Sequence, residues 1–249
     1  MNILMYSHDT YGLGHIRRTL ALAQSILADE HNIIILTGSP IVGRFEIPHG
    51  IDFVRIPGMI KQNNDLYLPH SIKVEPAMAL AIRRNIILAT AQAFRPALFL
   101  VDKAPLGLKN EVLPTLRWLH EHSPTTRRVL GLRDIMDSPE NTIKEWRDKK
   151  IYAALEDLYS EIWVYGSRDI YDPIKEYAIP AHIAPKIHFT GYIPRQIPRI
   201  GHRPRLRRSM GIDPGEKFVL VTTGGGGDGY KVLDTYLTML EGLGQPQFK

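Results

Sequence analysis

Strand, glycine-bearing loop and helix open this chain, and no other stretch limits its possible folds as much. Residues 2–7 read Asn-Ile-Leu-Met-Tyr-Ser, an apolar run of strand length bounded by polar residues. His8-Asp-Thr-Tyr-Gly-Leu-Gly14 follows, and then a helical pattern headed by His15-Ile-Arg-Arg18. Gly12 and Gly14, two apart, let the backbone turn sharply and admit a ligand closely. His15 stands at the mouth of the helix, where free N–H groups and the dipole favour anionic ligands. A strand that opens at Met1 leads us to expect no targeting segment.

The same layout serves dinucleotide cofactors, which want G-x-G-x-x-G/A and an acidic residue closing the second strand. Here the third position is Arg17, whose side chain would crowd the helix–sheet contact that a glycine permits. The second strand, residues 32–37, runs into Thr37-Gly-Ser39 without a carboxylate for a ribose. Both departures argue against an oxidoreductase.

Apolar runs continue to alternate with longer helical patterns, which predicts a doubly wound parallel sheet covered by helices, an α/β Rossmann-like domain. Strands are expected near 2–7, 32–37, 51–56, 97–101, 127–132 and 161–165, with another near 187–190. Helices are expected near 15–29, 75–94, 108–122 and 139–159. In the first, Ile16, Leu20, Ala23 and Leu27 share one face. Asp137-Ser-Pro-Glu140 announces the fourth as a capping region with proline in the first turn.

Near Tyr192 this pattern stops. Pro194, Pro198, Pro204 and Pro214 interrupt the chain, together with Gly201 and Gly211, as in an extended connector with a short helical piece near 205–210. Residues 217–222, Lys-Phe-Val-Leu-Val-Thr, predict a new strand, and a helix is expected from about Tyr230. The expected organisation is a domain over 1–192, a connector over 193–215 and the beginning of a second domain over 216–249. One strand and one helix bury too little apolar area to offset their chain entropy. That leads us to expect a truncated or split protein.

The charge is local too. The formal net charge is +5, but six arginines and no acid lie between Pro194 and Arg208, and without those six it is −1. A single cationic segment, rather than a broad nucleic-acid-binding face, follows. The stretch reads as a solvated hinge, as a peripheral contact with anionic membrane lipid (Arg195–Arg208), or as a nucleic-acid contact that its lack of aromatic residues argues against. The 249 residues contain no cysteine, which rules out disulfides and thiolate metal sites and makes the cytoplasm the expected compartment. No apolar run approaches the roughly 18 residues of a membrane span.

Four blocks in order along the chain carry a resemblance. They are Tyr11-Gly-Leu-Gly-His15 with Arg17 and Arg18, Leu100-Val-Asp-Lys-Ala-Pro-Leu-Gly107, Leu132-Arg-Asp-Ile135, and Val219-Leu-Val-Thr-Thr-Gly-Gly-Gly-Gly-Asp228. Together they resemble GT-B glycosyltransferases related to family 28, which includes the peptidoglycan N-acetylglucosaminyltransferases. The resemblance implies an acceptor-type N-terminal domain and a donor-binding C-terminal domain that this chain would hold only in part. It also implies a nucleotide sugar as substrate, a hydroxyl acceptor, and inverting transfer with neither cofactor nor metal. Such a protein would be cytoplasmic or peripheral at the inner face of the membrane.

Within that frame, His15 is the expected base, since imidazole titrates near working pH. Its other reading is a helix cap or a contact for an acceptor phosphate. His8 and Asp9 follow the first strand, at the edge of an open α/β sheet where ligands sit. Asp9 either orients His15, meets an acceptor hydroxyl, or joins Thr10 in turn hydrogen bonds. Asp102, before Lys103, is a catalytic or acceptor-site carboxylate or else half of a local ion pair, and Arg133 with Asp134 repeats that placement. Gly224, Gly225, Gly226 and Gly227 can turn several amides toward a donor diphosphate or form a plain linker loop, with Asp228 capping the next helix. Tyr230-Lys231 stands where a Walker A loop has Lys-Ser/Thr, so that motif is excluded. Residues 59–65 read as a long loop without an assigned role. A sugar-nucleotide epimerase and a non-catalytic remnant or binding module are the rival readings.

Overall fold

The computed structural model describes residues 1–9, 13–62, 66–194, 202–223 and 229–243, and the chain divides into two compact units, Met1–Ile193 and Pro194–Lys249. Gly12, residues 63–65, arginine-stretch residues 195–201, and the glycine run with Asp228 lie outside the described residues.

Seven strands build the sheet of the first unit: β1 (Asn2–Ser7), β2 (Asn32–Thr37), β3 (Ile51–Arg55), β6 (Leu98–Asp102), β7 (Arg127–Arg133), β8 (Glu161–Tyr165) and β9 (Ile187–Phe189). Their order is β3-β2-β1-β6-β7-β8-β9, and every pairing is parallel. Two further strands, β4 (Met59–Lys61) and β5 (Tyr67–Pro69), form a separate antiparallel hairpin. Residues 59–61, expected to lie in a loop, are thus a strand. Met59 is buried among Ala79 and Leu108, and this apolar anchor holds the excursion onto the domain.

Alternation along the strands divides the core into two layers. Ile3, Met5, Ile33, Ile35, Leu98, Leu100 and Val129 pack with Ile16, Leu20 and Ala23 of α1 (Gly14–Ile26). Leu4, Tyr6, Leu36, Phe99, Val101 and Leu130 pack on the other face with α2 (Pro76–Phe94), α3 (Leu113–His122) and α5 (Ile151–Leu158). The sheet is therefore doubly wound, as the alternation of patterns predicts.

The expected helix over 139–159 is two helices, α4 (Pro139–Asp148) and α5. Thr142 and Trp146 are the buried row of α4, and a straight continuation would bring Lys149 or Lys150 inward. The chain instead breaks at Lys150, with φ 53°, and restarts so that Ile151 and Leu155 face the core. Ser138 caps α4 by accepting the Asn141 N–H at 3.3 Å. The expected helix over 108–122 is likewise divided. A 3-10 turn (Leu108–Asn110) precedes α3, with Lys109 and Asn110 at positive φ. A four-residue helix, α6 (Pro173–Glu176), completes the first unit.

The second unit contains α7 (Arg203–Ser209) and α8 (Tyr230–Leu243). α7 closes on Gly211, at φ 67°, where the Ile212 N–H reaches the Arg207 carbonyl at 2.9 Å. The strand expected over 217–222 does not form. None of the described residues supplies a neighbouring strand, and Leu220 remains 72% exposed. An apolar β-pattern without a ladder partner has no reason to become a strand. Among the described residues, no helix is long and apolar enough to cross a membrane.

Candidate active site at the switch point of the sheet

Between β1 and β6 the strand order reverses, and it is outside the carboxyl ends of the strands at such a point that open α/β sheets bind ligands. His8 and Asp9 follow β1, Asp102 ends β6, and α1 begins at Gly14 beside them. Asp102 points to the face covered by α1, as Leu98 and Leu100 do. His15 and Arg18, three apart on α1, share the helix face that meets it.

Asp102 Oδ2 lies 2.6 Å from His15 Nδ1, and Oδ1 accepts from Arg18 Nε at 2.9 Å and Nη2 at 2.6 Å. Burial would raise the Asp102 carboxyl, but the His15 hydrogen bond and the Arg18 charge outweigh it and hold the group below its ordinary value. The carboxylate is therefore ionised and accepts the Nδ1–H of His15. Arg18 Nη2 also lies 3.0 Å from Nδ1, a contact in which it donates nothing because that nitrogen carries its own proton. The tautomer leaves the His15 Nε2 lone pair free. The imidazole is 17% exposed, enough to meet a ligand. Leu13, the residue before α1, makes no side-chain cap.

His8 belongs to a second network. Tyr6, one residue out of phase with Met5, points to the opposite face, where its hydroxyl donates to Glu111 Oε1 at 2.6 Å. The same oxygen accepts the Leu108 N–H at 3.3 Å and stands 3.2 Å from His8 Nδ1. With the phenol proton committed to Glu111, His8 must donate from Nδ1. Glu111 is clasped by Arg83, Nε to Oε2 at 2.6 Å and Nη2 to Oε1 at 2.5 Å. Burial, with the neighbouring His15 second, lowers the His8 imidazole to about 3, so it remains neutral. The rings of His8 and His15 meet edge to face, centroids 5.7 Å apart.

The structure thus brings His8, His15 and Asp102 together. Asp9 is turned elsewhere: it accepts from Thr37 Oγ1 at 2.5 Å, and its amide bonds to the Ser7 carbonyl. Asp134 accepts from Tyr192 Oη and the Ile135 amide, each at 2.8 Å, while Arg133 is exposed. Lys103 is depressed by burial and then by Arg133, and it is not among the groups bonded to Asp102. Gly14 is exposed at the start of α1.

Sequence reasoning assigned no role to Arg18, Tyr6, Arg83 or Glu111. The spacing of Arg18 from His15 was a usable signal. So was Arg83, a cation in the row Ala79, Arg83, Ile87, Ala91, which demands a buried partner. Nothing local marked Glu111.

No family model and no curated protein matches the chain. Solved structures do. A glycosyltransferase from Rickettsia africae ESF-5 aligns with a TM-score of 0.55 at 12% identity, over 97% of this chain and 57% of that one. MurG from Acinetobacter baumannii aligns at 0.46 and 13% identity, over 96% of this chain and 58% of that one. The fold is Rossmann-like, of the GT-B kind. This chain spans somewhat more than half the length of the structures it matches.

Proposed function

We propose that this chain takes part in sugar transfer from a nucleotide sugar to an acceptor hydroxyl, with His15 as the base. One observation carries the reading: a partly exposed imidazole, held in one tautomer by an ionised buried carboxylate, stands at the point of strand-order reversal where open α/β sheets bind ligands. In the step, the acceptor hydroxyl gives its proton to His15 Nε2 as its oxygen bonds to the anomeric carbon. The bond from that carbon to the nucleoside diphosphate breaks, and the diphosphate leaves with the electron pair. Attack opposite the leaving group inverts the anomeric centre. Asp102 stabilises the imidazolium as it forms, and Arg18 keeps Asp102 ionised in its buried place. His8, neutral beside it, adds no positive charge to oppose that proton transfer. We assign the donor diphosphate to the amides of Gly224–Gly227, outside the described residues.

The test is release of nucleoside diphosphate from a panel of labelled nucleotide sugars, coupled to label appearing in a hydroxyl acceptor. A His15→Ala variant should lose about 10²–10⁴-fold in rate with no loss of fold. Transfer at the wild-type rate by that variant would remove His15 from the chemistry.

A further inference from the structure

Arg18 holds Asp102, and Asp102 holds His15, but a long guanidinium side chain on a helix surface needs something to hold it in turn. Tyr165, the last residue of β8, supplies a surface. Its ring centroid lies 5.8 Å from the Arg18 guanidinium carbon, within range of a cation–π contact.

The ring reaches that place across β7. Asp102 pairs in register with Gly131, and Arg133, two residues on, pairs with Tyr165. Register partners and residues two apart point to one face of a sheet, so Asp102, Gly131 and Tyr165 all face α1. A Cβ at Gly131 would lie 1.9 Å from Tyr165 Oη and 2.6 Å from its Cζ. The missing side chain is the space through which the ring extends toward Asp102 and Arg18. The cost is visible: Tyr165 is 5% exposed, and its hydroxyl has no hydrogen-bond partner among the described residues. A buried unpaired hydroxyl is unfavourable by roughly 1–3 kcal/mol, so packing alone is a poor account of a tyrosine here.

We infer that Tyr165, admitted by Gly131, is a positioning residue: its ring backs the Arg18 guanidinium, which fixes Asp102 and through it the Nδ1–H tautomer of His15. The inference deepens the reading of His15 as base and rests on it for its functional meaning. The geometric part has its own readout, independent of turnover.

That readout is the nitrogen NMR spectrum of the chain labelled in histidine, which distinguishes the two neutral tautomers of His15. The wild type should show Nδ1–H alone. Tyr165→Phe keeps the ring and should keep that pattern. Tyr165→Leu and Gly131→Ala should each lose it and show both tautomers. Arg18→Lys should do the same, and the Tyr165→Leu/Arg18→Lys double variant should be no worse than Arg18→Lys, since both act through one contact. The amide spectrum reports folding, and if the leucine variant does not fold, the pair Gly131→Ala and Tyr165→Phe decides. A single tautomer in folded Tyr165→Leu or Gly131→Ala, or disruption by Tyr165→Phe, overturns the inference. A chain with the expected tautomers but no transfer activity overturns the function and leaves the positioning intact.

Discussion

Two hydrogen-bonded networks end at the same edge of the same sheet, on opposite faces, and they are built for different work. On one face, Arg83, Glu111 and Tyr6 stand beneath His8; Arg83 and Glu111 are both 0% exposed. On the other, Asp102 is buried while His15 and Arg18 remain 17% and 16% exposed. Each has a carboxylate clasped by an arginine and a histidine at its outer end. In the sealed network the phenol of Tyr6 stands between carboxylate and imidazole, and its histidine stays neutral. In the open one the carboxylate touches the imidazole directly, so a proton taken up at Nε2 is met by negative charge. Solvent access and one intervening hydroxyl separate the sealed pair from the one we propose to be reactive.

Breaking the sealed network should have the largest effect on stability. Glu111→Leu leaves the Arg83 guanidinium buried without its counter-charge and should cost about 3–5 kcal/mol. Arg83→Met added to Glu111→Leu should recover most of it, as denaturant midpoints would show. If the single variant were as stable as the wild type, the pair would not be holding this face together.

The open network should respond in activity instead. Asp102→Asn keeps the shape but removes the charge that favours imidazolium, and it should slow transfer by about 10²–10³-fold, some 2.7–4 kcal/mol in the barrier. The acceptor KM should change little. An equal effect on KM alone would place Asp102 in acceptor binding.

The smallest effect tests the neutrality of His8. Its folded value of about 3 lies below the ordinary value of 6.5, so the unfolded chain binds the extra proton. Stability is therefore full above pH 6.5 and falls as pH drops toward 3. Because the ring is not wholly sealed from solvent, we expect about 2 kcal/mol lost by pH 4.5. The Asp9 carboxyl, raised by burial, works in the opposite direction but is common to both proteins compared. A His8→Gln variant should show a flatter acid limb between pH 6.5 and 4.5; parallel limbs would put the titration elsewhere.

Much of the first unit was legible in the chain because its strands are wholly apolar and its helices carry their own buried stripe. β1, β2 and β8 match the expected spans. The failures have physical causes outside the local pattern. Residues 217–222 have the composition of a strand, yet a strand is made by its neighbour, and none of the described residues pairs with them. The break at Lys150 follows from which face of the helix the core can accept. At the site, the loop placed His8 and His15 near one another in sequence, but the partner of each came from far along the chain: Asp102 for His15, and Glu111 through Tyr6 for His8.

Local chemistry by itself determined a parallel α/β sheet, a loop joining its first strand to its first helix, and an imidazole at that helix's mouth. Backbone sterics, apolar periodicity and turn residues act within a few residues, so they can be read in one dimension. Tertiary structure decided which carboxylate meets which histidine, and which of the two histidines meets solvent. Those choices follow from the reversal of strand order between β1 and β6 and from alternation across the sheet, which join residues nearly a hundred positions apart.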